Sequence, residues 1–268
     1  MKAAVLQLPS IGMSSTKLYN YIRIAHKKNI KLLLLGEYLL NPFFLELKSM
    51  PISMIKELGD HQMAILKELS NKYELTIVAP LVIVKKGEPY KVVVKFGPQS
   101  TAYYYQQVLI NYAHWNEEKY FANSIEPLKS PLIFSVEGIK FAILNGFELH
   151  FDSLWLQASF KGVDCVLLPS VSTFESNKRW QELVKMRAFT HNYYVLRANR
   201  IGEYQDGEYR WSFYGDSLLV SPNGEVEAHL GNSEELMIVD LDHEVVKEAR
   251  RTWGFKEAIS KRLDMHGR

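Results

Sequence analysis

Short apolar segments alternate with segments of helical periodicity along the chain. Three apolar segments of the first part, residues 3–8, 31–35 and 75–84, are predicted strands. Residues 17–28 and 51–73 carry apolar side chains at helical spacing and are predicted helices. Because these strands are apolar at nearly every position, we expect sheets that are covered on both faces.

The same alternation continues to the end of the chain. Further predicted strands are residues 91–96, 101–109, 139–144, 165–168 and 194–198, with a hairpin of residues 218–221 and 226–230. Further predicted helices are residues 151–160 and 177–190. The repeated strand–helix order predicts an α/β fold, and the hairpins predict mixed sheets. No low-complexity linker interrupts the pattern, so we expect one domain over residues 1–240, with residues 241–268 as its helical extension.

Composition excludes several classes of function. A net charge of +2 gives no reason to expect a nucleic-acid partner. The single cysteine, Cys165, excludes an internal disulfide and argues against a cysteine-based zinc site, and no histidine pair has metal-ligand spacing. The apolar segments are too short to cross a bilayer, and the chain starts in a strand without a signal-peptide pattern. We therefore expect a cytoplasmic protein that uses no membrane, metal or cofactor.

The segment most informative about chemistry follows directly after the apolar residues 139–144. Asn145-Gly146 breaks the strand sharply, and Glu148 follows shortly before the predicted helix 151–160. Many α/β hydrolytic enzymes present a nucleophile at such a strand-to-helix turn. Gly146 has no side chain that could attack a substrate.

The order of motifs resembles the nitrilase superfamily, the carbon–nitrogen hydrolases, from Lys2 to about Asp240. The matching segments in the first half are Gly36-Glu37-Tyr38, Tyr105 with Ile110, Glu117 with Tyr120-Phe121, and Asn145-Gly146-Phe147-Glu148 with Phe151. Those in the second half are Gly162 with Pro169-Ser170, Trp180, Arg187-Ala188, Tyr194-Val195, Asn199-Arg200-Ile201-Gly202, Tyr214-Gly215-Asp216-Ser217 and Ser221-Pro222-Asn223-Gly224.

This resemblance implies a fold and a mechanism. The implied fold is an αββα sandwich of two mixed sheets covered by helices, and a homodimer or higher homo-oligomer is expected. The implied chemistry uses a Glu–Lys–Cys triad, in which the glutamate is the general base and the lysine stabilises the oxyanion. The cysteine forms a thioester that water then hydrolyses.

Only part of that triad is present in this chain. Glu37 matches the general base. Gln107 stands at the lysine position, or Gln106 after a one-residue shift, and Lys91 or Lys95 could substitute from a neighbouring strand. Gly146 stands at the cysteine position, and Cys165 does not replace it because a buried, inert thiol is the better interpretation.

Other residues are candidates for the pocket. Glu117 matches a second glutamate of the family, which helps to position the substrate and the lysine. The remaining candidate pocket or binding residues are Tyr38, Trp115, Phe147, Glu148, His150 and Ser170. The alternative is that such residues are structural: Glu148 could hold the turn by hydrogen bonds, and His150 could simply pack or face solvent.

Three functions remain open from the sequence. The first is a family protein that has lost the thioester mechanism and still binds a small amide or carboxylate. The second is an active amidase with altered catalytic groups, or an engineered variant of one. The third is a regulatory or structural dimer.

Overall fold

The structure is a computed structural model, and it describes residues 1–12, 16–207, 209–260 and 262. Its strands are β1 (Lys2–Gln7), β2 (Leu32–Leu35), β3 (Thr76–Lys85), β4 (Glu88–Gly97), β5 (Ser100–Tyr105), β6 (Asn111–Tyr112), β7 (Trp115–Asn116), β8 (Leu132–Val136), β9 (Ile139–Ile143), β10 (Cys165–Pro169), β11 (Tyr194–Ala198), β12 (Ile201–Asp206), β13 (Tyr209–Tyr214), β14 (Leu218–Val220), β15 (Val226–His229) and β16 (Glu235–Asp240).

Along the chain, most helices are placed between successive strands of the two large sheets. They are α1 (Thr16–Lys27), α2 (Phe44–Leu47), α3 (Ile52–Tyr73), α4 (Asp152–Phe160), α5 (Asn177–His191), α6 (His243–Trp253) and α7 (Phe255–Ser260), with a 3₁₀ helix at Gly146–His150. In the described ranges, no helix combines the length and the apolar composition that a membrane crossing requires.

Two six-stranded mixed sheets form the centre of the fold. The first has the order β16-β1-β2-β3-β4-β5, and the second has the order β15-β14-β11-β10-β9-β8. In each sheet three neighbouring strands are parallel, β1-β2-β3 and β9-β10-β11, and the outer pairings are antiparallel. The parallel strands of each sheet therefore direct their C-terminal ends to one edge, as in other α/β folds.

The alternation of side chains along the strands builds three apolar layers. Ala3 and Val5 of β1 face the space between the sheets, where they meet residues such as Phe141 of β9. Ala4 and Leu6 face the opposite way, toward α1 and α3. Helices α4 and α5 cover the outer face of the second sheet in the same manner. The predicted αββα sandwich of two mixed sheets is therefore confirmed.

The sequence prediction of elements needs correction at two points. The strand predicted over residues 101–109 ends at Tyr105, because Gln106 begins the turn that leads away from the sheet. The hairpin β12–β13 and the edge strands β8 and β16 were not predicted. The predicted helical tail is present as α6 and α7, and its end, residues 263–268, lies outside the described residues.

Candidate active site

Three charged side chains meet beyond the C-terminal end of β2. Glu37 follows β2, Lys91 lies on β4, and Glu117 follows β7, and each is at most 3% exposed. The Nζ atom of Lys91 lies 2.6 Å from Oε2 of Glu37, and it lies 2.7 and 2.8 Å from the two carboxylate oxygens of Glu117. One ammonium group therefore bridges two buried carboxylates.

Backbone contacts hold Glu37 and Lys91 in these places. The Glu37 amide donates a hydrogen bond to the Ser170 carbonyl oxygen, at 3.1 Å, which ties the end of β2 to the second sheet. The Asn123 side chain accepts a hydrogen bond from the Lys91 amide at 2.9 Å and donates one to the Lys91 carbonyl at 2.8 Å. Asn123 thus acts as a strand partner where β5 has ended, and it fixes Lys91 in register.

Glu117 is held by donors on both sides. Its Oε1 atom accepts hydrogen bonds from the Tyr38 hydroxyl at 2.6 Å and the Trp115 indole at 3.2 Å, in addition to Lys91. Tyr38 adopts a left-handed backbone conformation with φ of 52°, a rare and strained choice for a large side chain. Its hydroxyl reaches Glu117, and its ring lies 5.0 Å from the Lys91 ammonium.

Burial and charge together shift the pKa values in this cluster. Burial is the main reason that the pKa of Glu37 is raised to about 7; Lys91 opposes this shift, and the Glu117 and Glu148 charges add to it. Burial alone would lower the pKa of Lys91, but the Glu117 and Glu37 carboxylates raise it above its ordinary value. Lys91 therefore stays charged at neutral pH, whereas a pKa of about 7 means that the Glu37 carboxyl group loses its proton as the pH rises through 7.

Gly146 lies directly against Glu37. Its φ of +40° is in the left-handed region, which glycine adopts without the steric cost of a Cβ atom. An ideal Cβ atom built on Gly146 would fall 1.9 Å from Oε1 of Glu37 and 3.1 Å from its Cδ. The carboxylate of Glu37 thus occupies the space into which a side chain at position 146 would extend.

Glu148 is buried behind this turn. Its carboxylate accepts hydrogen bonds from the backbone amides of Asn145 at 2.8 Å and Gln107 at 2.7 Å, and from the Tyr104 hydroxyl at 2.9 Å. Burial raises the pKa of Glu148 to about 7, although these donors counteract the shift. Glu148 is not among the residues that line the cavity; its hydrogen bonds hold the turn in place, which is the structural alternative given for it above.

Neither glutamine at the expected lysine position contacts Glu37. The Gln107 side chain donates to the Lys129 carbonyl at 2.9 Å and to the Tyr104 hydroxyl at 3.1 Å. Gln106 is buried, and its Oε1 accepts a hydrogen bond from the Asn145 side chain at 2.8 Å. Among the described residues, the cation next to Glu37 is Lys91 of the neighbouring strand, which the sequence offered only as a substitute.

A cavity of about 480 Å³ opens above Glu37. Of the candidate pocket residues, Trp115, Phe147 and His150 lie on its wall. Tyr38 and Ser170 do not line it, and the Tyr38 hydroxyl instead donates to Glu117. Most of the wall comes from residues that the sequence did not name as pocket candidates: Ile110, Tyr112, Val171, Ser172, Thr173, Phe174, Ser176, Arg179, Trp180 and Leu183.

Ser170 supports the site from the second sheet. Its carbonyl oxygen accepts the hydrogen bond from the Glu37 amide, and its hydroxyl donates to the Ala198 carbonyl at 3.1 Å. The same hydroxyl accepts a hydrogen bond from Arg197 at 3.1 Å. Ser170 is thus a positioning residue for Glu37.

Comparison with known proteins gives this arrangement a family. The carbon–nitrogen hydrolase family model matches residues 2–251. An omega-amidase of Saccharomyces cerevisiae is 27% identical over 113 residues, a match that spans 42% of this chain and only 38% of the amidase. A Staphylococcus aureus protein described as a hydrolase in the agr operon is 23% identical over 275 residues. This match spans 99% of this chain and 100% of the Staphylococcus aureus protein.

Solved structures share the whole fold. A carbon–nitrogen hydrolase from Helicobacter pylori G27 superposes with a TM-score of 0.85 at 22% identity, covering 100% of this chain and 99% of its own. The resemblance seen in the motifs is thereby confirmed over nearly the full sequence. This chain is a member of the carbon–nitrogen hydrolase family.

Proposed function

We propose that this family member does not use the covalent thioester mechanism and that its cavity binds a small amide without rapid hydrolysis. The observation that carries the proposal is that the Glu37 carboxylate occupies the space that a side chain at position 146 would need. The nucleophile position has no side chain, and Glu37 Oε1 lies 1.9 Å from where a Cβ atom would be. Covalent catalysis needs a nucleophile beside its base, and here the base fills the place of the nucleophile.

The only cysteine offers no replacement. Cys165 is fully buried on β10 and faces the apolar layer between the two sheets. Burial raises the pKa of the Cys165 thiol well above its ordinary value, so the reactive thiolate is disfavoured. A thiol that is neutral and enclosed in the core has no route to a substrate in the cavity.

The rest of the site supports ligand binding. A cavity of about 480 Å³ with apolar walls and a few polar groups has the size and character of a small-molecule site. The sequence left an amide and a carboxylate open as ligands. Because Glu37 forms the polar floor and Glu117 lies beside Lys91, a carboxylate ligand would meet negative charge, whereas amide N–H groups could donate to Glu37.

Hydrolysis assays test the loss of the covalent mechanism. The purified protein is incubated with short amides, ω-amides, N-carbamoyl compounds and nitriles, and ammonia release and the intact protein mass are followed. We expect no acyl adduct and no turnover above that of the Glu37→Gln variant. An amidase that retains the family cysteine serves as the positive control. Turnover at ordinary enzymatic rates that disappears in Glu37→Gln would overturn the proposal.

A second candidate function rests on the raised pKa of Glu37, about 7, and on its contact with Lys91. A carboxylate of this kind could take a proton from water while the water oxygen attacks the carbonyl carbon of the amide, and the Lys91 ammonium could stabilise the oxyanion of the tetrahedral intermediate. The intermediate would collapse by breaking the C–N bond, and Glu37 would return the proton to the leaving nitrogen. Such an enzyme would hydrolyse amides slowly, without an acyl adduct, and its rate would rise with pH through about 7 as Glu37 loses its proton. A measurable rate with that pH profile would favour this candidate.

A further inference from the structure

We infer that the cavity preferentially takes an organic cation, an amidinium or a primary ammonium ion attached to an apolar group. The inference rests on the proposed function in one respect, namely that Glu37 and not a thiol forms the reactive end of the cavity. A neutral amide would still bind, but more weakly. Three observations support this preference: the balance of buried charge, the unused hydrogen-bond acceptor capacity of Glu37 and the composition of the walls.

At pH 8, where Glu37 and Glu148 are mostly ionised, buried carboxylates outnumber buried cations around the floor of the cavity. The carboxylates of Glu37, Glu117 and Glu148 are all buried there, and Lys91 is the ammonium that contacts two of them. The nearby Arg200 is also buried, but its guanidinium donates to the Tyr38 carbonyl at 2.8 Å and lies over the Phe213 ring. A cation entering the cavity would therefore reduce an existing excess of negative charge.

Of the three carboxylates, Glu37 is the one with room for a further partner. Both oxygens of Glu117 contact Lys91, and those of Glu148 accept backbone and tyrosine hydrogen bonds. Oε2 of Glu37 is buried and lies 2.6 Å from the Lys91 ammonium, whereas Oε1 accepts no hydrogen bond from the described residues. Glu37 also lines the cavity, so N–H donors of a ligand can reach its carboxylate.

Aromatic rings form a large part of the walls. The Tyr112 and Phe147 rings meet edge to face at 5.6 Å, and the His150 ring bridges Phe147 and Trp180 at 5.4 Å from each. Aromatic faces attract organic cations, and the attraction grows when both partners are shielded from water. The carboxylate at the floor and the aromatic rings of the walls are thus the two kinds of group that recognise an organic cation.

Two other charged groups must be weighed. Arg179 reaches the cavity from α5 and is exposed, and His150 is an exposed ring on the wall. Both lie toward solvent, where charge is screened, whereas Glu37 is enclosed at the floor. If Arg179 governed recognition, the cavity would instead prefer an anion, and the experiment separates these outcomes.

Three ligands of nearly identical shape test the inference: benzamidine, benzamide and benzoate carry charges of +1, 0 and −1 at pH 8. Their affinities for the full chain are measured by isothermal titration calorimetry at that pH. We expect benzamidine to bind at least about tenfold more tightly than benzamide, and benzoate to bind most weakly. Equal or tighter binding of benzamide or benzoate, or no detectable binding of benzamidine, would overturn the inference.

Matched variants assign the preference to Glu37. In Glu37→Gln we expect the ratio of benzamidine to benzamide affinity to fall to about one, with benzamide binding retained. Glu118→Gln, which removes an exposed carboxylate beside the site, should leave the ratio unchanged. A ratio that survives in Glu37→Gln contradicts the inference. Ammonia release from benzamide at enzymatic rates would instead contradict the proposed function, so the two failures are distinguishable.

Discussion

Replacing Glu37 with glutamine should change how the stability of the protein depends on pH. The pKa of Glu37 is raised from its ordinary 4.5 to about 7 in the folded chain, mainly by burial. Between these values the folded protein binds a proton that the unfolded chain has lost. Stability therefore falls as pH rises from 4.5 to 7, and it stays lower above pH 7. Glutamine resembles the protonated side chain and removes this dependence.

The size of the effect follows from the shift. Each pKa unit corresponds to about 1.4 kcal/mol, so a shift of this size costs the wild-type protein about 3 kcal/mol above pH 7. About 2 to 3 kcal/mol of that cost accumulates between pH 5 and pH 8. Lys91 keeps Glu117 as a partner in the variant, so the ammonium is not left unpaired.

Urea unfolding of the wild type and of Glu37→Gln across pH 5 to 8.5 measures this difference. Glu148, whose pKa is also raised to about 7, is present in both proteins, and because its charge is a minor cause of the Glu37 shift, its contribution cancels in large part. The stability of Glu37→Gln relative to wild type should increase by about 2 to 3 kcal/mol from pH 5 to pH 8. Glu118→Gln is the control and should show no such trend. A difference that stays constant with pH would refute the assignment of a raised pKa to Glu37.

Three further substitutions test the packing of the site by urea unfolding at pH 8. Gly146→Ala should cost about 2 to 4 kcal/mol, because it adds a left-handed strain and displaces the Glu37 carboxylate; an unchanged stability would show that the two do not share space. Lys91→Met should cost about 3 to 5 kcal/mol, since it leaves two buried carboxylates without their cation, and less at pH 5, where Glu37 is protonated. Equal losses at both pH values would contradict that reasoning. Glu148→Gln should cost about 1 to 3 kcal/mol, because an amide cannot accept all the hydrogen bonds that the carboxylate accepts; a neutral result would show that these bonds do not hold the turn.

The fold was predictable because its central strands are apolar on both faces. Residues 32–35 are leucine throughout, and such a segment is stable only between two apolar layers. The edge strand β16 was missed although Met237 and Val239 alternate with exposed neighbours, because half of its positions are polar or exposed. Strands at the rim of a sheet carry a weaker apolar signal than those at its centre.

The sequence could predict a site residue only where its position depends on a single segment of the chain. Glu37 and Glu117 were named from their motifs and do lie together. Lys91 was not given the lysine position, because the sequence cannot show which neighbouring strand places a side chain opposite Glu37; that depends on the register of β4 against β3 and β5. Gln107 was selected from motif order, but its side chain points to Lys129 on the other side. The predicted homodimer and cytoplasmic location stay predictions.

The overlap of a Cβ atom at position 146 with the Glu37 carboxylate couples the turn to the buried charges beneath it. A side chain at position 146 is accommodated only if the Glu37 carboxylate, the flexible end of its side chain, moves. That movement would change the contact between Glu37 and the Lys91 ammonium, which lies 2.6 Å away. A substitution in the turn therefore acts on the charge balance of three side chains from other parts of the chain, and position 146 cannot be redesigned separately from Glu37, Lys91 and Glu117.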